Sequence, residues 1–285
     1  MRIVYVNGEY LPEDQAKISV FDRGFLFGDG VYEVSSVLDG ALIDNQAHLV
    51  RLQRSLDELS IARPASDAEI EEIQQELIKR NDLTEGMVYL QITRGAAERS
   101  FDWPTDAEPS LVMFTQAKSI TGSASAQKGL RVATVPDLRW KRRDIKTVNL
   151  LPASWAKAQA AEKGADDAWM VEDGHVTEGS SNNTFIVTKD GVLVTRQLSN
   201  DILHGITRKA TLQLAAECQL KIEERSFTPE EAYDAQEAFM TSASSFVTPV
   251  IEIDGHEIGD ATPGPIAKRL RELYIDAAQQ GSLPA

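Results

Sequence analysis

RRDIKTVNLL (142–151) sets one lysine between Asp144-Ile145 and the run Thr147-Val148-Asn149-Leu150-Leu151. Lys146 has apolar neighbours on both sides, and the charged residues before it stop at Asp144. The ordinary reading is a strand-end lysine with its alkyl stem on apolar surface and its charge in water. The chemical reading is a lysine in a dry pocket. Such a lysine gives up its proton more readily and becomes a nucleophilic amine able to form a Schiff base with a carbonyl. Arg142 and Arg143, just upstream, are read as facing solvent. The rest of the chain has to decide what Lys146 does.

Composition narrows the choice. The chain has 285 residues, 42% hydrophobic and 26% charged, an ordinary globular balance with room for two domains. Its formal net charge is −15. Such a surface repels phosphodiester backbones, so no nucleic-acid partner is expected. An anionic ligand must instead be held by a local basic pocket, which makes arginines in unusual contexts informative. The single cysteine, Cys218, cannot form an internal disulfide, and the four scattered histidines give no metal-binding spacing. The N-terminus MRIVYVNGEY carries charge and turn residues too early for a signal peptide, and no apolar run reaches membrane-spanning length. The expectation is a cytoplasmic protein with no metal and no membrane partner.

Turn chemistry and periodicity divide the chain. Residues 3–11 read as two strands joined at Asn7-Gly8, and residues 16–43 as strand-like alternation around a glycine-rich centre with a hairpin turn at Asp39-Gly40. Residues 46–61 and 67–81 have helical periodicity, and 86–95 and 110–117 read as strands with a loop between them. The polar, small-residue segment after them has no period. It is taken as a linker (119–129) between an N-terminal α/β domain (1–118) and a C-terminal domain (130–285). The second half reads as a strand (130–140), a helix (151–165), hairpins at Asp173-Gly174 and Asp190-Gly191, and helices over 205–218 and 228–235. Two strands flanking a polar loop (237–255) and a C-terminal helix (262–280) complete it. Hairpins dominate both halves, so the fold class is α+β, or mixed α/β.

Five further features bear on chemistry. In VTEGSSNNTF (176–185), Glu178 ends a strand beside a glycine and two serines, where a carboxylate can pair with a cationic ring nitrogen; an exposed turn is the plainer reading. In LHGITRK (203–209), a glycine precedes the start of a helix, whose free N–H groups bind anions; Thr207 as a local cap is the alternative. MTSASSFVTP (240–249) puts several hydroxyls between two strands, a second anion loop or ordinary loop chemistry. Arg51, in HLVRL on an apolar helix stripe, is either an anion fork or a snorkelled side chain. RGFLFGDGVYEV (23–34) starts like a dinucleotide fingerprint but has Glu33 where the third glycine belongs, so that reading is rejected.

Taken in order, RGFLFGDGVYEV, HLVRL, DIKTVNLL, EGSSNN, GITR and TSASSFVTPV resemble the fold-type IV pyridoxal-phosphate enzymes over essentially the whole chain. That group includes D-amino-acid aminotransferases, branched-chain aminotransferases and aminodeoxychorismate lyases. The resemblance implies a smaller N-terminal α/β domain, a larger C-terminal domain with a hairpin-rich pseudo-barrel, and pyridoxal 5'-phosphate at the domain interface. It implies that Lys146 is the Schiff-base lysine that also shuttles the α-proton, and that Glu178 pairs with the pyridine nitrogen. It places Arg51, Gly205, Ile206 and Thr207 at the phosphate, Leu203 on one cofactor face, and Ser180, Ser181 and Asn182 in the polar loop beside the cofactor. Ser242, Ala243 and Ser244 fall on the other phosphate-contacting loop, with Ser244 also counted toward substrate. Several relatives have threonine where Ala243 stands, so backbone or serine donors are expected to replace that bond.

Within the group, FGDGVYEV is most similar to the D-amino-acid aminotransferases. Tyr32 falls on a substrate-pocket tyrosine, and Arg99 on an arginine that reaches the substrate α-carboxylate across a homodimer interface. Phe101 stands where that loop's histidine would be. The expectation is therefore transfer of an amino group between D-alanine-like donors and 2-oxo acids such as 2-oxoglutarate or pyruvate, in two ping-pong half-reactions. The alternatives are a branched-chain L-aminotransferase, an (R)-amine transaminase and an aminodeoxychorismate lyase. A non-catalytic carrier would not need Glu178.

Overall fold

Asn7 and Gly8 both take positive φ, 47° and 101°, so strand β1 (Ile3–Val6) turns straight back as β2 (Glu9–Pro12). The computed structural model describes residues 1–283. The next segment departs from the strand-like alternation expected from residue 16. A short helix, α1 (Arg23–Phe27), forms first: the Asp22 side chain accepts from the Gly24 N–H at 2.8 Å, and Gly28 at φ 66° ends it. Strand β3 (Gly30–Leu38) follows and returns as β4 (Ala41–Ile43) through Asp39 and Gly40 at φ 51° and 77°. Helix α2 (Asn45–Glu58) and helix α3 (Asp67–Arg80) come next, the latter started by a capping box between Ser66 and Glu69. Strands β5 (Gly86–Thr93) and β6 (Ser110–Ala117) complete a six-stranded antiparallel sheet in the order β2-β1-β6-β5-β3-β4. Leu49, Leu52, Leu56, Ile70 and Leu77 of the two helices are buried with Val31, Leu90, Ile92 and Met113 of the sheet. This is the helical stripe meeting the period-two face.

The chain divides into two compact units, and the division is not sequential: Ile145–Asn149 groups with Met1–Ser119, while Ile120–Asp144 groups with the chain from Leu150 onward. The sequence reading assigned all of 130–285 to one domain. Two things draw the lysine segment into the first unit. The Tyr32 N–H donates to the Lys146 carbonyl and the Val148 N–H to the Gly30 carbonyl, both at 3.0 Å, and Ile145 is buried in the first unit's core. β4 pairs only with Ser36–Leu38, so the segment takes up the stretch of β3 that β4 leaves open.

The second unit opens with residues expected to be a plain linker. They contain a short helix, α4 (Ala124–Lys128), capped by the Ser123 hydroxyl. Strand β7 (Leu130–Pro136) precedes helix α5 (Leu151–Glu162), the hairpin β8 (Asp167–Glu172) and β9 (His175–Gly179), and the hairpin β10 (Asn183–Val187) and β11 (Leu193–Thr195). Helix α6 (Ile206–Glu217), strand β12 (Ile222–Glu224) and helix α7 (Pro229–Tyr233) lead to β13 (Glu237–Ser242), β14 (Phe246–Ile253), β15 (His256–Glu257) and helix α8 (Pro265–Gln279). The nine-stranded mixed sheet runs β12-β11-β10-β13-β14-β7-β8-β9, with β15 on β14. β12 and β15 are too short and polar to have shown a strand pattern. Among the described residues, no helix is long and apolar enough to cross a membrane.

Candidate active site

In the first unit, β3 presents alternate residues to two different environments. Tyr32 faces Lys146, whose ammonium nitrogen stands 4.1 Å from the ring centroid. Tyr32 is stacked on Tyr89 at 5.5 Å, and Tyr89 on Phe114 at 4.7 Å, so the ring under the lysine belongs to an aromatic column. The Lys146 N–H points to the Ser55 hydroxyl of α2 at 3.4 Å. Lys146 itself is half-buried.

Glu33, the next residue on β3, is 1% exposed. Arg51 Nε and Nη2 each donate to its carboxylate at 2.8 Å, and His48 Nδ1 lies 2.7 Å from Oε2. Burial pushes the Glu33 carboxyl up, but Arg51 and His48 outweigh it and hold the group well below the usual carboxylate range. Glu33 therefore fixes the orientation of the Arg51 fork. The sequence pairs Arg51 with His48 on one helix face but gives no sign that a strand carboxylate lies under both.

Arg99 and Phe101 lie on the exposed loop between β5 and β6, with the Arg99 guanidinium 5.6 Å from the Phe27 ring and 5.8 Å from the Phe101 ring. The root of this loop is pinned. Arg23 Nη1 donates to the Ser100 carbonyl at 2.8 Å, Arg94 stacks on Trp103 at 4.2 Å, and Asp29 accepts from Arg23 and Arg94 at 2.7 and 2.8 Å. Phe101 is 82% exposed, and its ring meets that of Phe27 edge-on at 5.7 Å.

In the second unit, Glu178 is the penultimate residue of β9 and is 3% exposed. Arg139 Nη1 donates to Oε1, Asn183 Nδ2 to Oε2 at 2.9 Å, and the Leu203 N–H to both oxygens at 3.2 and 3.1 Å. Burial raises the Glu178 carboxyl above its ordinary value, against the pull of Arg139. Two hydrogen bonds thus reach each carboxylate oxygen, with the Leu203 N–H shared between them. Arg139 also holds Asp137 through Nε at 3.0 Å and Nη2 at 2.7 Å. The sequence reading placed Arg139 in a strand and gave it no role. Its only signal is a two-residue spacing from Asp137. Arg143, read as facing solvent, is 4% exposed and bound to Glu172 at 2.9 Å. Arg142, half-buried, pairs with Asp144 at 3.0 Å.

Ser180 donates its hydroxyl to buried Asp167, and Asn182 reaches the same carboxylate at 3.3 Å. Ser181 is exposed. Gly205 is the N-cap of α6 and supplies no side-chain cap, so the N–H groups of the first turn, starting at Ile206 and Thr207, point out of the helix end. A Cβ on Gly205 would stand 2.0 Å from Asn183 Oδ1, so only glycine lets the helix start this close to the Glu178 cluster. Thr241, directly across the sheet from Asn183, is 2% exposed and its hydroxyl has no protein partner. Ser242, Ala243 and Ser244 follow it into the turn between β13 and β14, the strands on which α6 packs. The outward N–H groups and the hydroxyl turn suit an anionic group, and the buried Glu178 carboxylate suits a protonated heterocycle.

Residues 30–253 match the family model for amino-transferase class IV. The chain belongs to the class IV aminotransferases. It is 38% identical over 276 residues to a D-alanine aminotransferase of Staphylococcus haemolyticus, covering 96% of this chain and 97% of that one. It is 37% identical to the D-alanine aminotransferase of Bacillus licheniformis, covering 95% of each. Among solved structures it resembles a T.th. branched-chain amino acid aminotransferase complexed with N-(5'-phosphopyridoxyl)-L-glutamate. That likeness has a TM-score of 0.88 at 28% identity and covers 99% of this chain and 95% of that one. The two-domain α+β architecture is thus that of the fold-type IV aminotransferases.

Proposed function

We propose that this class IV aminotransferase moves the amino group between D-amino acids of the D-alanine kind and 2-oxo acids such as 2-oxoglutarate or pyruvate. The likeness to D-alanine aminotransferases over nearly the full length of both chains carries the D-amino-acid reading. The lower identity to branched-chain enzymes, whose architecture it shares, keeps L-branched substrates as the second reading.

The cofactor of the family is pyridoxal phosphate. When bound, it supplies the carbonyl that receives the amino group and a ring that takes up the electrons freed when the α-proton leaves. In our reading Lys146 Nζ would hold the cofactor through its amine and, when free, would serve as the base and then the acid that moves the substrate α-proton. Tyr32 sets the position of that nitrogen through its ring and through the backbone bond to the Lys146 carbonyl. Glu178 would accept a hydrogen bond from the protonated ring nitrogen and so keep that proton on the ring. Leu203 would pack on one ring face, with Ser180, Ser181 and Asn182 beside the cofactor. The α6 N-terminus at Gly205, Ile206 and Thr207, the Ser242–Ser244 turn and Arg51 would hold the phosphate, anchoring the cofactor at the end away from the reacting carbon. Arg99 reaches the substrate carboxylate of the partner protomer in a homodimer, and Phe101 gives that wall an apolar patch.

The test is the visible spectrum of the purified holoenzyme with D-alanine and, separately, with L-leucine. Loss of the yellow colour with D-alanine alone is the expected result. Loss with L-leucine alone would replace the D-amino-acid reading with the branched-chain one. Indifference to both would set aside amino-acid transamination.

A further inference from the structure

The turn from β13 to β14 carries the hydroxyls assigned above to the phosphate, and it is held in a costly shape. Ser242 pairs with Phe246 at the last rung of the hairpin, leaving a three-residue loop. Hairpins of this length place a left-handed residue after the turn, and glycine is the residue that takes it without strain. Here the position is filled by Phe246, at φ 56° and 0% exposed. A bulky side chain in that conformation persists only where the surroundings fix it from several sides.

Helix α8 supplies the fixing. Arg271, 8% exposed, donates Nη1 to the Ser245 carbonyl at 2.6 Å and to the Val247 carbonyl at 2.8 Å, the two residues that flank Phe246. Its Nη2 reaches the carbonyls of Ile120 and, at 3.4 Å, Thr121, the residues that open the second unit. Tyr274, one helical turn on, packs at a tilt against the Phe246 ring, with centroids 4.7 Å apart. Inside the turn, the Ser242 and Ser245 hydroxyls are 2.7 Å apart, and the Thr248 hydroxyl donates to the Ser245 carbonyl at 3.3 Å. Both carbonyls beside the strained residue are thus tied to one rigid guanidinium. Phe246 cannot relax to negative φ without breaking those bonds.

We propose that Arg271 is a positioning residue for the cofactor phosphate, setting the shape of the Ser242–Ser245 turn from behind without touching the phosphate. The proposal rests on the reading of that turn as a phosphate site. A guanidinium fork holds two places at once, Nη1 on the carbonyls of Ser245 and Val247 and Nη2 on those of Ile120 and Thr121. A lysine ammonium carries the charge but has a single nitrogen and cannot brace the turn against both. The field of the buried cation adds a general attraction for an anion, which lysine would keep. Shape and charge therefore separate in the Arg271→Lys variant.

The experiment compares dissociation constants of pyridoxal 5'-phosphate and of pyridoxal, which lacks the phosphate, for the full-length chain freed of cofactor. Their ratio isolates the phosphate's contribution from everything the ring and Lys146 provide. The proteins are wild type, Arg271→Lys, Arg271→Met and Ser242→Ala. The expected result is an unchanged constant for pyridoxal and a ratio reduced roughly tenfold in Arg271→Lys, the scale of one lost hydrogen bond to a charged group. If Arg271→Met does not fold, Arg271→Lys decides. A ratio that falls in Ser242→Ala but in neither Arg271 variant would overturn the positioning role and leave the phosphate turn intact. A ratio unmoved in Ser242→Ala would remove the phosphate turn and the role of Arg271 together. Equal weakening of both ligands in Arg271→Lys would reduce Arg271 to a general structural residue.

Discussion

Lys146 and Tyr32 are joined twice: the ammonium nitrogen lies 4.1 Å over the tyrosine ring, and the Tyr32 N–H donates to the Lys146 carbonyl at 3.0 Å. One strand residue thus fixes both ends of the lysine. Lys146→Ala removes the nitrogen to which the family's cofactor chemistry is assigned. Turnover is expected to fall by at least roughly a hundredfold, the lower end of what a positioned acid–base group contributes. The yellow of the holoenzyme should go with it. Wild-type turnover in this variant would take Lys146 out of the mechanism.

Glu178→Gln keeps the shape of the cluster around Asn183 and Leu203 but removes the negative charge. Cofactor should stay bound while turnover drops by roughly tenfold or more, and the isotope effect on the α-hydrogen should grow as proton removal becomes limiting. Unchanged rate and isotope effect would argue that Glu178 does not hold the ring-nitrogen proton.

The stability of the first unit should depend on Glu33 in acid. Its native carboxyl lies below its unfolded value of about 4.3, so the unfolded chain binds more protons between the two values and stability rises with pH there. The contribution is complete above the unfolded value and is lost as pH falls through the native one. Urea midpoints measured between neutral and acid pH should fall more steeply for wild type than for Glu33→Gln. At neutral pH the variant should be less stable by about 3–5 kcal/mol, the cost of leaving buried Arg51 without its charged partner. Parallel curves would mean that Glu33 titrates alike in both states.

In the proposed function Arg99 and Phe101 serve the carboxylate of the substrate. Arg99→Ala should raise KM for D-alanine by roughly tenfold or more, the scale of a lost bidentate charge-assisted contact, with kcat little changed. Phe101→His should lower KM by restoring a polar partner. A kcat defect without a KM change in Arg99→Ala would place that residue elsewhere in the cycle.

Mixing separately purified Lys146→Ala and Arg99→Ala proteins tests the shared site. If Arg99 serves the partner protomer, a mixed dimer contains one complete site. At D-alanine concentrations well below the raised KM, activity should then climb above that of Arg99→Ala alone as subunits exchange. No recovery, with mixed dimers demonstrated by a tag on one variant, would confine Arg99 to its own protomer.

Much of the fold is legible in the sequence because local rules decide it. Asn7-Gly8, Asp39-Gly40 and Asp173-Gly174 announce their turns through residues that tolerate positive φ, and all of them adopt it. The leucines of α2 mark the buried face before any strand is placed. What stays hidden depends on long-range pairing. Glu33 looks like a strand residue until α2 lays His48 and Arg51 over it. Arg139 and Arg143 look like surface charge until Glu178 and Glu172, from a later hairpin, meet them. α1 escapes notice because it is too short for a period and rests on one aspartate cap. Arg271 is one of several charges on an amphipathic helix, and nothing nearby in the chain shows that it faces a strained turn.

The excursion of Ile145–Asn149 into the first unit bears on how such enzymes can be recombined. The chain passes between the units at Ser119–Ile120, Asp144–Ile145 and Asn149–Leu150, so no single cut separates them. A chimaera joined at Ser119 would carry the wall of Tyr32 and Ser55 from one parent and the lysine that rests on it from the other. Parents that differ along β3 would then yield hybrids that fold unit by unit and yet seat their reactive amine poorly. Exchange in this lineage is therefore expected to succeed when residues 145–149 travel with the N-terminal segment.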